Sequence, residues 1–324
     1  MAEPERLAWG VAATGRIALE VGAVIRDHPD MHVAAVGSRD LARAQVAARE
    51  LGAPAAHGSY AELVEDPAVQ AVYVATPHTG HAEVVEAALA AGKPVLCEKP
   101  LTASLAETER LVALAQRSGT FLMEAMWMRF NPLVQRLAAV AASGELGELR
   151  SLRAAFGFSA DPDPAGRLWD PALGGGALLD LGIYPVSLAR LLLGTPTELT
   201  VAGSLGPTGV DAESTLALGF EGGARALLDC SLLADLPGTA LLVGSAGWAE
   251  LSRPFHAPTR LVLQTGDEPV EHLLDGSRAG FVGELEEVAR CRAEGRTQSD
   301  VVSLEETVAT MRVLEQARTA LGAG

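Results

Sequence analysis

Leu7-Ala8-Trp9-Gly10-Val11-Ala12-Ala13-Thr14-Gly15-Arg16-Ile17-Ala18 is the stretch on which the fold turns. Residues 7–12 form a short apolar run, residues 13–15 a turn of small side chains, and residues 17–25 place apolar side chains at helical spacing. Strand, tight turn and helix in that order open a βαβ unit. A turn that binds a dinucleotide needs small residues at three positions. The backbone can then approach the pyrophosphate, and the helix N-terminus can face its charge. Gly15 supplies the second of these, Ala13 stands at the first and Ala18 at the third. A tight structural turn would use the same residues, so the surrounding sequence has to decide.

Outward from this unit, strand patterns at 32–37, 71–75, 94–97 and 121–123 alternate with helical patterns at 41–51, 82–91 and 105–118. Such alternation with short links predicts a parallel sheet with helices on both faces. After Glu124 the texture changes. A helix is expected over 132–142, then β-like runs at 149–158, 199–203, 215–220, 225–231, 239–244 and 260–264, punctuated by Gly and Pro. One long helix, 177–193, follows Gly174-Gly175-Gly176, and helices over 281–294 and 304–321 close the chain. Strands in succession predict an open, mainly antiparallel sheet with helices on one face. The fold class is therefore α/β followed by α+β. A Rossmann dinucleotide-binding domain is expected over 1–124 and a substrate-binding and dimerisation domain over 125–302, with a last helix, about 303–322, packing back on the first. At 324 residues the chain exceeds the ~250–300 at which one core stops growing.

Composition narrows the function. With 48% hydrophobic and 20% charged residues the chain can build well-packed cores. A net charge of −16 repels nucleic acid and anionic membrane surfaces, so neither is expected as a partner. No apolar run is expected to reach the ~20 residues of a membrane span, and the N-terminus lacks the pattern of a signal peptide. Cys97, Cys230 and Cys291 are odd in number and widely spaced, which fits neither a disulfide framework nor a zinc cluster and suits the cytoplasm. His78, His81 and the carboxylates show no metal-ligand spacing, so no metal is expected.

Candidate chemistry sits at strand ends. The second strand finishes at Gly37-Ser38-Arg39, where an NAD enzyme places its ribose-binding acid. A hydroxyl and a guanidinium, with Arg43 one turn into the next helix, suit the 2′-phosphate of NADP instead, with NAD the weaker choice. Alternatively, Asp40 caps that helix and Arg39 is merely solvated. The chain has only two lysines, Lys93 and Lys99. Lys99, in Cys97-Glu98-Lys99-Pro100, follows an apolar strand at the carboxyl edge of the sheet, where ligands bind in such folds. A surface lysine opening a loop would look the same. Asp180 and Tyr184 are four apart and share one helix face, a pair that taken alone is more often structural.

Together these residues resemble the Gfo/Idh/MocA oxidoreductase family over essentially the whole chain. The resemblance rests on residues 12–18, on Ala75-Thr76-Pro77-His78-Thr79-Gly80-His81, on Glu98-Lys99-Pro100, on Met128-Arg129-Phe130-Asn131-Pro132 and on residues 174–184. Trp127, His78 and Tyr184 point to the branch of dimeric dihydrodiol dehydrogenases and NADP-dependent D-xylose dehydrogenases. The resemblance implies cofactor contacts from Ala13, Thr14, Gly15, Arg16, Ile17, Ser38, Arg39, Arg43, Thr76, Pro77, His78, His81, Glu98, Lys99 and Arg129. It implies that Lys99 and Tyr184 flank the reacting carbon and that Asp180 contacts substrate. His81 then belongs to the loop over the nicotinamide, with a structural role as the alternative. Trp127, Phe158 and Trp169 are expected to wall the substrate pocket, with core packing an equal rival for the last two. A free tyrosine titrates near ~10, and an ammonium beside it lowers that value, so Lys99 would make Tyr184 a usable proton donor and acceptor. The expected enzyme moves a hydride between NADP and a polyol, sugar or cyclic diol, as a homodimer or homotetramer. An NAD-dependent cyclitol dehydrogenase and a non-catalytic NADP sensor are the alternatives, and the retained proton-transfer groups speak against the sensor.

Overall fold

All six residues of strand β1 (Leu7–Ala12) are buried, as a strand covered on both faces requires. Helix α1 (Arg16–Asp27), β2 (Met31–Gly37), α2 (Leu41–Leu51), β3 (Ala55–His57), α3 (Tyr60–Glu65), β4 (Ala71–Val74), α4 (His81–Ala90), β5 (Val95–Glu98), α5 (Leu105–Ser118) and β6 (Leu122–Ala125) follow. The computed structural model describes residues 6–276 and 278–323. Its strands β1 to β6 form one parallel sheet in the order β3-β2-β1-β4-β5-β6. The order reverses between β1 and β4, and there the carboxyl ends of the strands leave a crevice. Neither β3 nor α3 was expected. The first is three half-buried residues and the second six, both too short to show a period.

The crevice has distinctive helix ends. Asp40, Ser59 and Ser104 cap α2, α3 and α5 with their side chains. Helices α1 and α4, which follow the two strands flanking the reversal, start at Gly15 and Gly80 with no side-chain cap. For α1 the first N–H groups are left for another acceptor, whereas the first N–H of α4, that of His81, donates to the His78 carbonyl.

The second unit starts with α6 (Pro132–Ser143) and β7 (Leu149–Gly157), and continues through α7 (Ile183–Leu193), β8 (Pro196–Leu205), β9 (Asp211–Phe220) and β10 (Arg225–Ser231). Strands β11 (Ala240–Gly244), β12 (Trp248–Leu251), β13 (Arg260–Gln264) and β14 (Val270–Leu273) complete a sheet ordered β14-β13-β12-β11-β7-β10-β9-β8. Every pair is antiparallel except β7 with β10. Burial alternates along β9 and β10 in the manner of a sheet covered on one face, where α6 and α7 pack.

Three expectations change. The helix expected over 177–193 forms over those residues, but its first part, Leu178–Gly182, is π-helical and runs into α7. Gly176 takes φ +118°, and a Cβ there would collide with the Asp211 carboxylate, whose Oδ2 accepts the Leu178 N–H at 2.5 Å. That buried cap leaves no room for a regular first turn. Second, Pro171–Leu193 is apolar enough to pass for a membrane span, with mean hydropathy 1.5, contrary to the expected absence of such a run. Its apolar window is 89% buried, so it serves as a core element of the second unit. Third, helix α8 (Ala279–Ala293) was placed in the second domain, yet residues Phe281–Val308 cluster with the first, burying Leu285, Val288 and Cys291. Only the start of α9 (Leu304–Leu321) joins them, through Leu304 and Val308, and from Ala309 on the chain clusters with Trp127–Gly280.

Ala13 takes φ +144°, a conformation that favours glycine, so the turn has the fingerprint's shape although the fingerprint residue is absent. Holding a side chain there costs on the order of 1–3 kcal/mol. Ala13→Gly should therefore gain about 1 kcal/mol, because glycine's extra unfolded-state freedom cancels only ~0.5–1 kcal/mol of the relief. Urea unfolding reads this directly, and a less stable variant would show that the turn carries no strain.

Candidate active site

The first unit supplies a nucleotide-shaped edge. Gly15 is exposed at the start of α1, and a Cβ built on it would meet no protein atom within 4 Å. The space a side chain would fill, in front of an uncapped helix, fits a phosphate. At the end of β4, Thr76 is buried and its Oγ1 has no hydrogen-bond partner among the described residues, a second group fitted to a ligand. At the end of β2, Ser38 is buried and its Oγ accepts the Asp40 N–H at 3.2 Å. The Asp40 carboxylate turns into its own helix, accepting from Ala42 and Arg43, and is thereby withdrawn from any ribose. Arg39 and Arg43 are exposed. Arg39 lies beside the Tyr60 hydroxyl, and Arg43 pairs with Asp40 at 3.7 Å. Asp40 thus caps the helix, as the alternative reading of this strand end has it, and both guanidiniums lie on the surface beside it.

Of the two readings of His81, the contacts follow the structural one. Its ring is wholly buried, with Nε2 2.8 Å from the Thr76 carbonyl and Nδ1 3.0 Å from that of Pro100. Burial drives its pKa down against the pull of these carbonyls, and the Lys99 charge lowers it further. The ring ties the β4 and β5 loops together and offers no surface to a ligand. His78, at ring-centroid distance 5.8 Å, meets it edge-on and is half-buried. Glu98 also turns inward: its Oε1 accepts the Tyr73 hydroxyl at 2.6 Å and its Oε2 the Lys99 N–H at 3.2 Å. Lys99 itself is half-buried at the strand end. The other lysine, Lys93, donates to the Asp66 carbonyl at 2.5 Å and holds a loop.

The second unit gathers an aromatic and ionic cluster around the π turn. Tyr184, in the first turn of α7, accepts the Trp127 indole N–H at 3.0 Å through its hydroxyl oxygen. Its ring stacks on His256 at 4.7 Å and meets Phe156 edge-on at 5.9 Å. Asp180, in the π turn, is gripped by Arg167 through two bonds of 3.0 and 3.3 Å. Asp180 is 10% exposed at its side chain and Arg167 53%, so the carboxylate is set and the guanidinium reaches solvent. Trp127 is therefore a donor to the Tyr184 oxygen. Phe158 is half-buried, 6.4 Å from Phe156. Trp169 is buried, its N–H donating to the Asp161 carbonyl at 2.8 Å and its ring lying over Gly206, which places it in packing. Arg129 is likewise buried and donates to Ser187 at 3.0 Å.

Sequence reasoning passed over Phe156, His256, Arg167, Tyr60 and Asp211. The first two lie on different elements from Tyr184, and no local spacing announces them. Asp211 carried the nearest thing to a signal, because the run of three glycines demanded a partner that a side chain would have excluded.

The chain has relatives of known activity. Residues 7–126 match the oxidoreductase family with an NAD-binding Rossmann fold, and residues 134–250 the GFO/IDH/MocA C-terminal domain. Trans-1,2-dihydrobenzene-1,2-diol dehydrogenase of Mus musculus is 38% identical, over 98% of this chain and 97% of that protein. The Macaca fascicularis enzyme is 40% identical over the same shares. Among solved structures, the 3-ketoreductase KijD10 from Actinomadura kijaniata, in complex with NADP and TDP-benzene, is 28% identical with a TM-score of 0.85, covering 98% of each chain. The aldose–aldose oxidoreductase from Caulobacter crescentus, complexed with glycerol, shares the fold with a TM-score of 0.89 at 24% identity, covering 98% of each chain.

Burial pushes the Asp211 carboxyl from 3.8 up to about 6, against its bond from Leu178 and the field of Arg318. The folded value lies above the unfolded one. Its contribution to stability is thus fully present below the unfolded value and is lost as pH rises through the folded value of about 6. The wild type should lose on the order of 2–3 kcal/mol across that window relative to Asp211→Asn, whose amide does not titrate. Urea melts of both proteins over the window test this, and parallel curves would refute it.

Proposed function

Because the chain belongs to the Gfo/Idh/MocA oxidoreductase family, we propose that it moves a hydride between NADP and the alcohol or carbonyl carbon of a sugar-like or cyclic-diol substrate. The observation that carries this reading is the Trp127–Tyr184 hydrogen bond beside the Arg167–Asp180 pair. An indole N–H only donates, so the Tyr184 oxygen must accept, and the phenol's own hydrogen points elsewhere. That hydrogen serves the substrate oxygen. When the alcohol is oxidised, Tyr184 takes its proton as the phenolate, and when a carbonyl is reduced, Tyr184 supplies one as the phenol. A donor on the oxygen favours the phenolate, and the Lys99 ammonium is assigned the same effect. Packing against His256 and Phe156 fixes the ring, while Asp180 and Arg167 supply an acceptor and a fork of donors for neighbouring hydroxyls. Gly15, Thr76, Arg39 and Arg43 would hold the dinucleotide, the two arginines on its 2′-phosphate. Bound there, it supplies the hydride acceptor or donor.

Replacing Tyr184 by Phe keeps the ring and deletes the proton. Turnover should fall roughly 10²–10⁴-fold with NADP affinity nearly intact. Lys99→Met should be comparably damaging, and the double variant should cost far less than the product of the two losses. NADP reduction followed at 340 nm across aldoses, polyols and cyclic diols reads both the activity and the substrate. A Tyr184→Phe enzyme within a few-fold of wild type would sink the assignment.

The uncovered face of the second sheet carries Ala217 and Leu227, with Leu205 exposed at the end of β8. We infer that a second copy of the chain covers it, since a pair of subunits each at −16 must be joined by apolar contact. Light scattering at micromolar concentration should give a mass two or four times 33.6 kDa, and a monomer mass would overturn the inference.

A further inference from the structure

The π turn is held from two sides, and both holds meet at Gly176. On one side is Asp211, the first residue of β9 and wholly buried. Its Oδ2 accepts the Leu178 N–H at 2.5 Å, and its Oδ1 stands where it would collide with a Cβ on Gly176. That second oxygen is buried and has no hydrogen-bond partner among the described residues. Native interiors rarely keep such an oxygen unless it has a task. On the other side is the turn that carries Arg167. The Gly176 N–H donates to the Leu168 carbonyl at 2.9 Å, and the Gly175 N–H to the Asp170 carbonyl at 3.0 Å. A Cβ on Gly175 would stand 2.8 Å from the Leu168 oxygen. The two glycines are thus a thin layer between the Asp211 carboxyl and the backbone next to Arg167. From the same Gly176 the π turn starts, its carbonyl accepting the Asp180 N–H at 3.3 Å.

We propose that Asp211 is a positioning residue for the Arg167–Asp180 pair, holding both members through Gly176 and Leu178 and so setting how tightly the substrate hydroxyls are bound. This rests on the substrate-binding role given to that pair above. Arg167 and Asp180 meet through bonds of 3.0 and 3.3 Å, and a carboxylate and a fork of donors serve neighbouring hydroxyls only while they keep such a geometry. Without the Asp211 acceptor the Leu178 N–H is buried with nothing to donate to, and the backbone must turn to find an acceptor. Asp180, two residues on, moves with it, and the Gly176 contact that seats the Arg167 turn loosens. Tyr184 is held by other groups, since its ring packs on His256 and Phe156 and its oxygen takes the Trp127 N–H. Loss of the cap therefore falls on substrate binding first and on proton transfer second. The role needs an acceptor at Oδ2 and no charge, so an amide oxygen fills it.

Asp211→Ala and Asp211→Asn are compared with the wild type in kcat, substrate KM and NADP Kd, per folded enzyme. The substrate is the aldose, polyol or cyclic diol turned over fastest at 340 nm. The Ala variant should raise the substrate KM roughly 10- to 100-fold, lower kcat by less, and leave the NADP Kd within about twofold. The Asn variant should bring KM back to within a few-fold of wild type. A merely structural role would lower the yield or melting temperature of the Ala variant without moving the KM of the molecules that fold. Asp180→Asn is the reference. Combined with Asp211→Ala it should cost little more than Asp180→Asn alone, because both changes remove one interaction. A folded Asp211→Ala enzyme with wild-type KM overturns the proposal. So do losses that multiply in the double variant, or an Asn variant as impaired as the Ala one. If the Ala variant fails to fold, Asp211→Ser, whose hydroxyl is too short to reach the Leu178 N–H, is judged by the same outcomes. If Asp180→Asn is impaired while Asp211→Ala is not, only this proposal falls. If Asp180→Asn is fully active, the reading of the pair falls and takes this proposal with it.

Discussion

Strand β1 pairs in parallel with β2 on one side and β4 on the other, and every such neighbour must be reached by a crossover that returns to the same edge. The first unit follows from that constraint. Crossovers leaving β1 in opposite directions open the crevice between its carboxyl end and that of β4. The turns that begin the two helices there, at Gly15 and Gly80, lie at this edge. Asp40, Ser59 and Ser104 close the starts of α2, α3 and α5 with their side chains. Ala13 shows the strength of the constraint. The backbone takes a glycine's conformation there with an alanine in place, since the turn is set by the strand and helix on either side of it.

A second constraint governs the substrate side. A helix that starts inside a core must have its first N–H groups satisfied, and Asp211 does this from β9. The acid needs Gly176 to come close, and its approach forces the π turn that carries Asp180. A π turn rotates successive side chains differently from an α-helix, so Asp180 and Tyr184 do not stand in the simple four-residue register that a regular helix would give them. The buried cap is thus the reason Asp180 and Tyr184 are arranged as they are. It also lifts the proton affinity of Asp211 itself, which is the thermodynamic cost of placing a carboxyl where water cannot reach.

Buried acids recur in this chain, and they explain why a net charge of −16 coexists with two dense cores. Glu98, Glu124 and Asp211 are tolerated because hydrogen-bond donors converge on them. Each ties a loop or a helix end to another element, with Glu98 joining β4 to the Lys99 turn and Glu124 joining the residues after β5 to α9. A methylene-rich side chain could fill the same volume but would leave those N–H and hydroxyl groups without acceptors.

The sequence by itself determined the alternation of strands and helices, the parallel sheet, the change of texture after Glu124 and the positions of Lys99, Asp180 and Tyr184. Parallel strands are apolar on both faces, and helices repeat every 3.6 residues, so these features are written in local periodicity. The tertiary structure alone decided what each polar group faces. Trp127 reads as a wall of the pocket until its N–H is seen to end on Tyr184, 57 residues away in sequence. For His81 and Trp169 the sequence left a ligand-lining and a structural role open, and burial places both inside. Arg167 and His256 had no motif to announce them. Their partners come from other elements, and hydrogen bonds and burial between distant segments leave no period along the chain.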